Sequence, residues 1–334
     1  MIYAPNSDIF KEIAGELEDG IQLAERPFGE LASRMGISEE SVLDTAREML
    51  RRGFMRRFGA FFDHRKLGYA GYLFGVSAPV GTEPEMMKRI CGASYVTHVY
   101  EREHALNIWF TVLSKENGNV GGICDRLRSS GREYVALRAS KVIKLRPSFV
   151  GVPRGEYCSG GGGEPENLDS RALRMVRAAA LVSGISERPF EDVARLSGMP
   201  ATELLDGLRG LSSRGIVRRI GASFDHYRAG WKSNSLCAFD LSAADENETA
   251  GIALAAVSGL PWASHCYIRW LYDYELSSKW PYNLYVMVHA VSDGELGARE
   301  RHLREVFGGA SFVSLRTRRE IKHTHFDIFS EERG

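Results

Sequence analysis

The sequence predicts an α+β protein built as a tandem repeat, each copy a winged helix-turn-helix followed by a ferredoxin-like βαββαβ domain with an antiparallel sheet. Three observations predict it. Residues 26–64 align with 188–226 without a gap, 17 of 39 positions being identical, including Arg56-Arg57/Arg218-Arg219, Gly59-Ala60/Gly221-Ala222 and Phe62-Asp63-His64/Phe224-Asp225-His226. Each copy opens with helical periodicity and ends in a strand, and each then alternates strand and helix in the order β-α-β-β-α-β.

In the first copy, Ile9, Ile13 and Leu17, then Leu31 and Met35, then Val42, Leu43, Ala46, Met49 and Leu50 recur at helical spacing, with Ser38 as N-cap and Gly53 as stop. Phe54 to Phe62 reads as the wing strand. Downstream, 72–78, 95–101, 106–113 and 134–145 read as strands and 83–91 and 122–129 as helices. The second copy repeats the order with strands at 235–241, 263–272, 283–291 and 311–322 and helices at 249–258 and 295–307. A run of glycines, Gly160 to Gly163, marks a flexible join. The expected boundaries are 1–66 and 67–150 for the first copy, 151–167 for the linker, and 168–229 and 230–330 for the second.

Composition narrows the function classes. The 334 residues carry 43 Lys+Arg and 43 Asp+Glu, so there is no basic excess for coating nucleic acid. The helix that would read DNA bases is acidic or neutral in both copies (Glu39, Glu40, Asp44; Glu203, Asp206), which argues against DNA as a partner. No apolar run spans a bilayer and no export signal opens the chain, so no membrane partner is expected and the cytoplasm is the expected compartment. Five cysteines without a CxxC pair suggest neither a disulfide framework nor a thiolate metal site, and His323-x-His325 is too small a set to predict a metal.

Strand alternation places the chemistry. His265, Tyr267 and Arg269 share one face of their strand, as do His98, Tyr100 and Arg102 in the first copy. In the next strand Leu284, Val286 and Val288 form the apolar side toward the helices, leaving Asn283, Tyr285, Met287 and His289 on the other. That polar side is expected to be the uncovered face of an open sheet, where imidazoles, phenols and guanidiniums suit a large, flat, anionic ligand, and Arg316 and Arg318 are expected to add cations. The alternative is a polar interface between halves. An insertion of nine residues between Trp270 and Trp280 makes the two copies unequal, and its Trp270, Tyr272, Tyr274, Trp280 and Tyr282 are candidates to wall a macrocycle.

These motifs resemble the siroheme decarboxylase family, whose fold is similar to Lrp/AsnC-type regulators. The resemblance rests, in both copies, on Arg-Pro-Phe at 26–28 and 188–190, the wing R-R-x-G-A-x-F-D-H, and H-x-Y-x-R. The second copy adds W-P-Y-N-L-Y-x-M-V-H from Trp280 to His289. The chain departs from the pattern at Trp270, where a proline would stand, and its first copy lacks W-P-Y-N. The resemblance implies two family subunits fused in one chain as a pseudo-dimer, compatible with a further homodimer. It implies non-oxidative removal of the C12 and C18 acetate carboxyl groups of siroheme for heme or heme d1 synthesis, with no cofactor beyond the substrate's iron. The implied catalytic residues are His265, His289, Arg269 and Tyr267, and the implied substrate-binding residues are Arg218, Arg219, His226, Trp280, Tyr282, Asn283, Arg56, Arg57, His98 and Arg102. A ligand-sensing DNA-binding regulator and a tetrapyrrole carrier without turnover remain as alternatives.

Overall fold

The computed structural model describes residues 7–78, 83–115, 118, 120–145, 150, 164–277, 279–326 and 328, so 151–163 of the expected linker lie outside the described residues. Among the described residues, contacts divide the chain into two units, each assembled from both copies: one holds 7–67, 150 and 165–231, the other holds those from 68 to 145, 164 and those from 232 to 328.

In the first unit each copy supplies three helices and a strand: α1 (Asp8–Asp19), α2 (Pro27–Met35), α3 (Glu39–Arg51) and β1 (Met55–Phe62), then α6 (Ser170–Ala180), α7 (Pro189–Ser197), α8 (Ala201–Ser213) and β6 (Val217–Phe224). Local chemistry fixes the helix ends. The Ser38 hydroxyl accepts from Ser41 N at 3.2 Å to cap α3, and Pro27 and Pro189 open α2 and α7 where a missing N–H costs nothing. The wing strands pair with one another across the copies, antiparallel, with Gly59 opposite Gly221. Both glycines are required by close approach, because a Cβ at Gly59 would lie 2.4 Å from Val182 O and one at Gly221 2.5 Å from Leu17 O.

The second unit contains β2 (Tyr69–Val76), α4 (Glu83–Gly92), β3 (Val96–Arg102), β4 (Ile108–Lys115), α5 (Val120–Ser129) and β5 (Tyr134–Leu145) from the first copy. The second copy adds β7 (Ser233–Phe239), α9 (Glu246–Val257), β8 (Ala263–Glu275), β9 (Leu284–Ala290), α10 (Asp293–Val306) and β10 (Phe312–His323). Each copy forms a four-stranded antiparallel sheet, β3-β4-β2-β5 and β10-β7-β9-β8. The expectation of an open sheet face is corrected here. The last strand of each copy pairs with the edge strand of the other, β5 with β8 and β10 with β3, and the eight strands close into a barrel without free edges.

Helices cover the outside. Val286, Val288, Cys266 and Ile268 join Ala253 and Val257 of α9 and Leu296 and Leu303 of α10 in one buried cluster, while Phe74, Phe110 and Val112 join Ile123 and Leu127 of α5 in another. A third cluster draws Leu73, Trp109, Val135 and Leu137 of the first copy together with Ala238, Tyr285 and Leu315 of the second. The third cluster is the inside of the barrel, and burial of apolar surface there holds the two copies as one body.

Candidate active site

The row His265-Tyr267-Arg269 of β8 faces the barrel interior, since Cys266 and Ile268 between them belong to the outer core. Its rings are stacked: His265 and Tyr267 lie 6.3 Å apart at 14°, and the Arg269 guanidinium sits 4.7 Å above Tyr267. The row His98-Tyr100-Arg102 of β3 repeats this, at 6.5 Å and 22°, with Arg102 4.8 Å above Tyr100. The alternation expected for β9 also holds, Leu284, Val286 and Val288 being packed outward.

The two rows differ in what completes them. Arg102 Nη1 donates to Leu315 O at 2.8 Å and to Thr317 Oγ1 at 2.9 Å, both on β10, where Thr317 stands opposite Arg102. Opposite Arg269 stands Ala139 of β5, which has no side-chain acceptor. Arg269 is 7% exposed, and its Nε and Nη1 are buried without a hydrogen-bond partner. Burial pulls its pKa down, against the neighbouring Tyr267 and Tyr285 hydroxyls, but a guanidinium stays charged at neutral pH. A buried cation whose Nε and Nη1 donors are unused is matched by the oxygens of an anionic ligand such as a carboxylate.

Asn283 follows the same contrast. Its Oδ1 accepts from Leu241 N at 2.8 Å, as Asn107 Oδ1 does from Ala78 N at 2.8 Å, so both asparagines pin a strand end. Asn107 Nδ2 donates to Ala78 O at 3.0 Å, whereas Asn283 Nδ2 is buried without a partner.

Two imidazoles meet in the second copy. Ser264 Oγ lies 2.6 Å from His265 Nδ1 and 2.8 Å from His289 Nε2, and both Ser264 and His289 are buried. Strand alternation alone would aim Ser264 outward, away from His265. A register shift between Ala263 and His265 marks a bulge that aims both side chains at one place. The same shift between Val96 and His98 brings Thr97 Oγ1 to 2.8 Å from His98 Nδ1. The first copy has no second imidazole at the matching position, Leu113. Instead His323, opposite His98 on β10, brings its ring to 4.3 Å from that of His98.

The insertion's aromatics separate. Trp280 Nε1 donates to the Tyr285 hydroxyl at 2.8 Å, which donates to Tyr282 O at 3.1 Å, and the Trp280 ring lies 5.6 Å from Trp109, so Trp280 and Tyr282 belong to the interior cluster. Burial pushes the Tyr285 hydroxyl's pKa up and keeps it a donor. Trp270, Tyr272 and Tyr274 lie on the outer face, 40% to 53% exposed, Tyr272 resting 5.2 Å from Tyr72, and do not join that wall.

Several expected anion ligands are otherwise engaged. Arg316 does not face the interior: it alternates with Val313 and Leu315 and binds Glu300 of α10 at 2.7 Å. Arg318 is a surface group 3.8 Å from Glu103. In the first unit Arg57 bonds Ala60 O and Arg219 bonds Glu18 O and Ala222 O, their guanidiniums 4.8 and 3.8 Å from the Phe61 ring. Burial takes Arg57 down to about 10. Arg56 pairs with Asp225 of the other copy at 3.0 Å. Burial opposes ionisation of Asp63, but Arg65, with a smaller contribution from Arg218, holds its carboxyl below the usual range. His226 is buried against Tyr227, with ring centres 4.1 Å apart. In the duplicated wing motif, Arg57 and Arg219 thus bond carbonyls of their own strands, Arg219 also reaches α1, and Arg56 reaches across to Asp225, while the two strands pair through their backbones.

The sequence pointed to the side of the strand that holds Tyr285, but neither Ser264 nor the part played by Ala139 was expected from it. The duplicated Thr97-His98 and Ser264-His265 pairs were the available signal for the first of these.

A doubled winged-helix unit and a barrel of two ferredoxin-like sheets, with one buried arginine left open inside, define a fused chain of Lrp/AsnC-like fold equipped to hold an anionic ligand. Residues 10–56 match the model of the siroheme decarboxylase NirDL-like HTH domain and residues 228–322 that of the AsnC-like ligand binding domain. The chain is 29% identical over 338 residues to the siroheme decarboxylase of Hydrogenobacter thermophilus, covering 97% of this chain and 96% of that protein. It is 33% identical over 140 residues to the siroheme decarboxylase alpha subunit of Desulfovibrio desulfuricans, covering 42% of this chain and 81% of that one. Among solved structures, the siroheme decarboxylase NirDL superposes with a TM-score of 0.70 at 25% identity, over 97% of this chain and 95% of that one. The same protein in complex with an iron-uroporphyrin III analogue gives 0.69. The chain belongs to the siroheme decarboxylase family. Among the described residues no helix is long and apolar enough to cross a membrane.

Proposed function

We propose that this chain is a siroheme decarboxylase, a carboxy-lyase that removes the C12 and C18 acetate carboxyl groups of siroheme without an oxidant and without a cofactor beyond the substrate's own iron. Family membership supports the reaction class. The observation that carries the placement of the site is Arg269, a buried guanidinium with two donors unused, at the end of the stacked His265-Tyr267 row.

In this reading Arg269 orients a substrate carboxylate, and Asn283 Nδ2 adds a donor beside it. Tyr267, held between His265 and Arg269, spaces the proton donor from the carboxylate anchor along the row. The C–C bond to the carboxyl group breaks, CO2 leaves, and the electron pair remains on the methylene carbon, conjugated with the ring. That carbon then takes a proton, and His265, half-buried at the outer end of the row, is the donor. Arg57 and Arg219 act on the wing rather than on substrate, and the first-copy row serves structure.

The test is anaerobic incubation of the purified protein with siroheme, followed by mass analysis of the extracted tetrapyrrole. Loss of two carboxyl groups is expected. A shifted absorbance spectrum with unchanged mass points to a carrier and overturns the enzymatic reading.

A further inference from the structure

We propose that Ser264 is a proton-relay hydroxyl, joining the buried His289 to His265 so that the acid of the site draws on a second imidazole; this rests on the decarboxylase reading above. Three observations carry it. The hydroxyl touches both rings at hydrogen-bond distance, 2.6 Å to His265 Nδ1 and 2.8 Å to His289 Nε2. A strand bulge is maintained at this point, which is what turns Ser264 toward the two rings. His289 is only 4% exposed, so its route to the reacting carbon runs through its neighbour rather than through solvent. In the first copy the hydroxyl is kept, as Thr97 at 2.8 Å from His98, but leucine occupies the place of His289.

The step balances without a redox partner. The two imidazoles enter it holding one proton more than two neutral rings would. As the methylene carbon takes the Nε2 proton of His265, the Ser264 hydroxyl gives its proton to His265 Nδ1 and receives one from His289 Nε2–H. Both rings end neutral, and water restores the spent proton after CO2 and product leave. Titration of such a pair belongs to the pair rather than to either ring. Ser264 and His289 are on this account positioning residues that act through His265.

The experiment is a double-mutant cycle on the full chain, with siroheme as substrate and a thermal melt for each variant. Ser264→Ala should lower kcat by about 10- to 100-fold, less than the roughly 10²- to 10⁴-fold worth of the acid it assists, with KM for siroheme held within about twofold. Ser264→Thr should restore most of the rate, because the first copy already fits threonine at this bulge. His289→Gln should fall as far as Ser264→Ala, and the double variant should be no slower than the slower single variant, since groups acting as one unit are non-additive. Independent, multiplying losses overturn the relay, as does a folded Ser264→Thr as slow as Ser264→Ala. An active parental protein whose Ser264→Ala variant runs at full rate overturns the relay alone. A parental protein that releases siroheme unchanged overturns the function on which it rests.

Discussion

The two stacked rows inside the barrel were built to one plan and finished differently. Both hold His, Tyr and Arg at the same spacing and stack them alike, and both begin at a bulge that presents a hydroxyl to the histidine. What distinguishes them comes from the neighbouring strands. β10 supplies Thr317, Leu315 O and His323 to the first-copy row, whose arginine becomes a tie between strands. β5 supplies Ala139 and Leu145 to the second-copy row, whose arginine keeps its donors and whose histidine looks to His289 instead. The same motif thus stands in different surroundings: the Arg102 guanidinium bonds across to β10, while Nε and Nη1 of Arg269 have no hydrogen-bond partner.

The comparison can be broken most directly at the histidines. His265→Ala should lose siroheme decarboxylation by about 10²- to 10⁴-fold, the usual worth of a positioned acid, while His98→Ala stays within about threefold of the parental rate. Equal losses, read by anaerobic product analysis, would make the rows equivalent. The arginines come next. Arg269→Ala should weaken siroheme binding by about 30-fold or more in an absorbance titration, as expected for a desolvated charge contact. Arg102→Ala should leave binding intact but lower stability by about 1–3 kcal/mol in a denaturant melt, because it leaves buried acceptors unpaired.

A smaller change should convert one row toward the other. Ala139→Thr places a hydroxyl opposite Arg269, as Thr317 does for Arg102, and should weaken siroheme binding by about tenfold, the worth of one hydrogen bond to a charged group. Unchanged affinity would mean that the acceptor is not what separates the copies.

The smallest effect concerns the thiols. Burial first, with Asp273 beside it, pushes Cys124 up to about 12, and burial does the same for Cys237 in the second-copy core. Folded-state pKa values raised above the unfolded value stabilise the protein fully below about pH 8.5, and that contribution fades as pH rises from there toward 12. Thermal melts should therefore decline gradually above about pH 9. Below it, peptide mapping should find Cys124, Cys237 and Cys266 unalkylated in the native protein, all three being buried.

Much of this was legible in the sequence. The 162-residue repeat and the β-α-β-β-α-β order followed from periodicity, and Leu284, Val286 and Val288 declared which way β9 faces. Ser264 was not legible, because a bulge resets the alternation on which such readings depend. Arg316 was misplaced for a related reason: its strand continues the phase of Val313 and Leu315, which turns it outward onto Glu300. Closure of the barrel was hidden more deeply. The pairings of β5 with β8 and of β10 with β3 join residues more than a hundred positions apart, and each strand's own pattern is satisfied by an open sheet as well as by a closed one. The contacts of the wing arginines were not legible either, because the bonds of Arg57 and Arg219 to Ala60 O and Ala222 O and the reach of Arg56 to Asp225 of the other copy depend on side-chain paths that strand alternation does not fix.

The crossed last strands also bear on how such a chain can specialise. Each row is finished by a strand borrowed from the other copy, so a lone copy would own the motif but not its completion. If the copies were made as separate polypeptides, like could assemble with like, and each such pair would carry two identical rows in the wrong surroundings. Covalent linkage fixes the composition at one of each, whatever the relative rates of synthesis. Under that guarantee the two rows can diverge in their neighbours, His98 meeting His323 of β10 and His265 meeting His289 of its own sheet through Ser264, because both rows are always present in the same barrel.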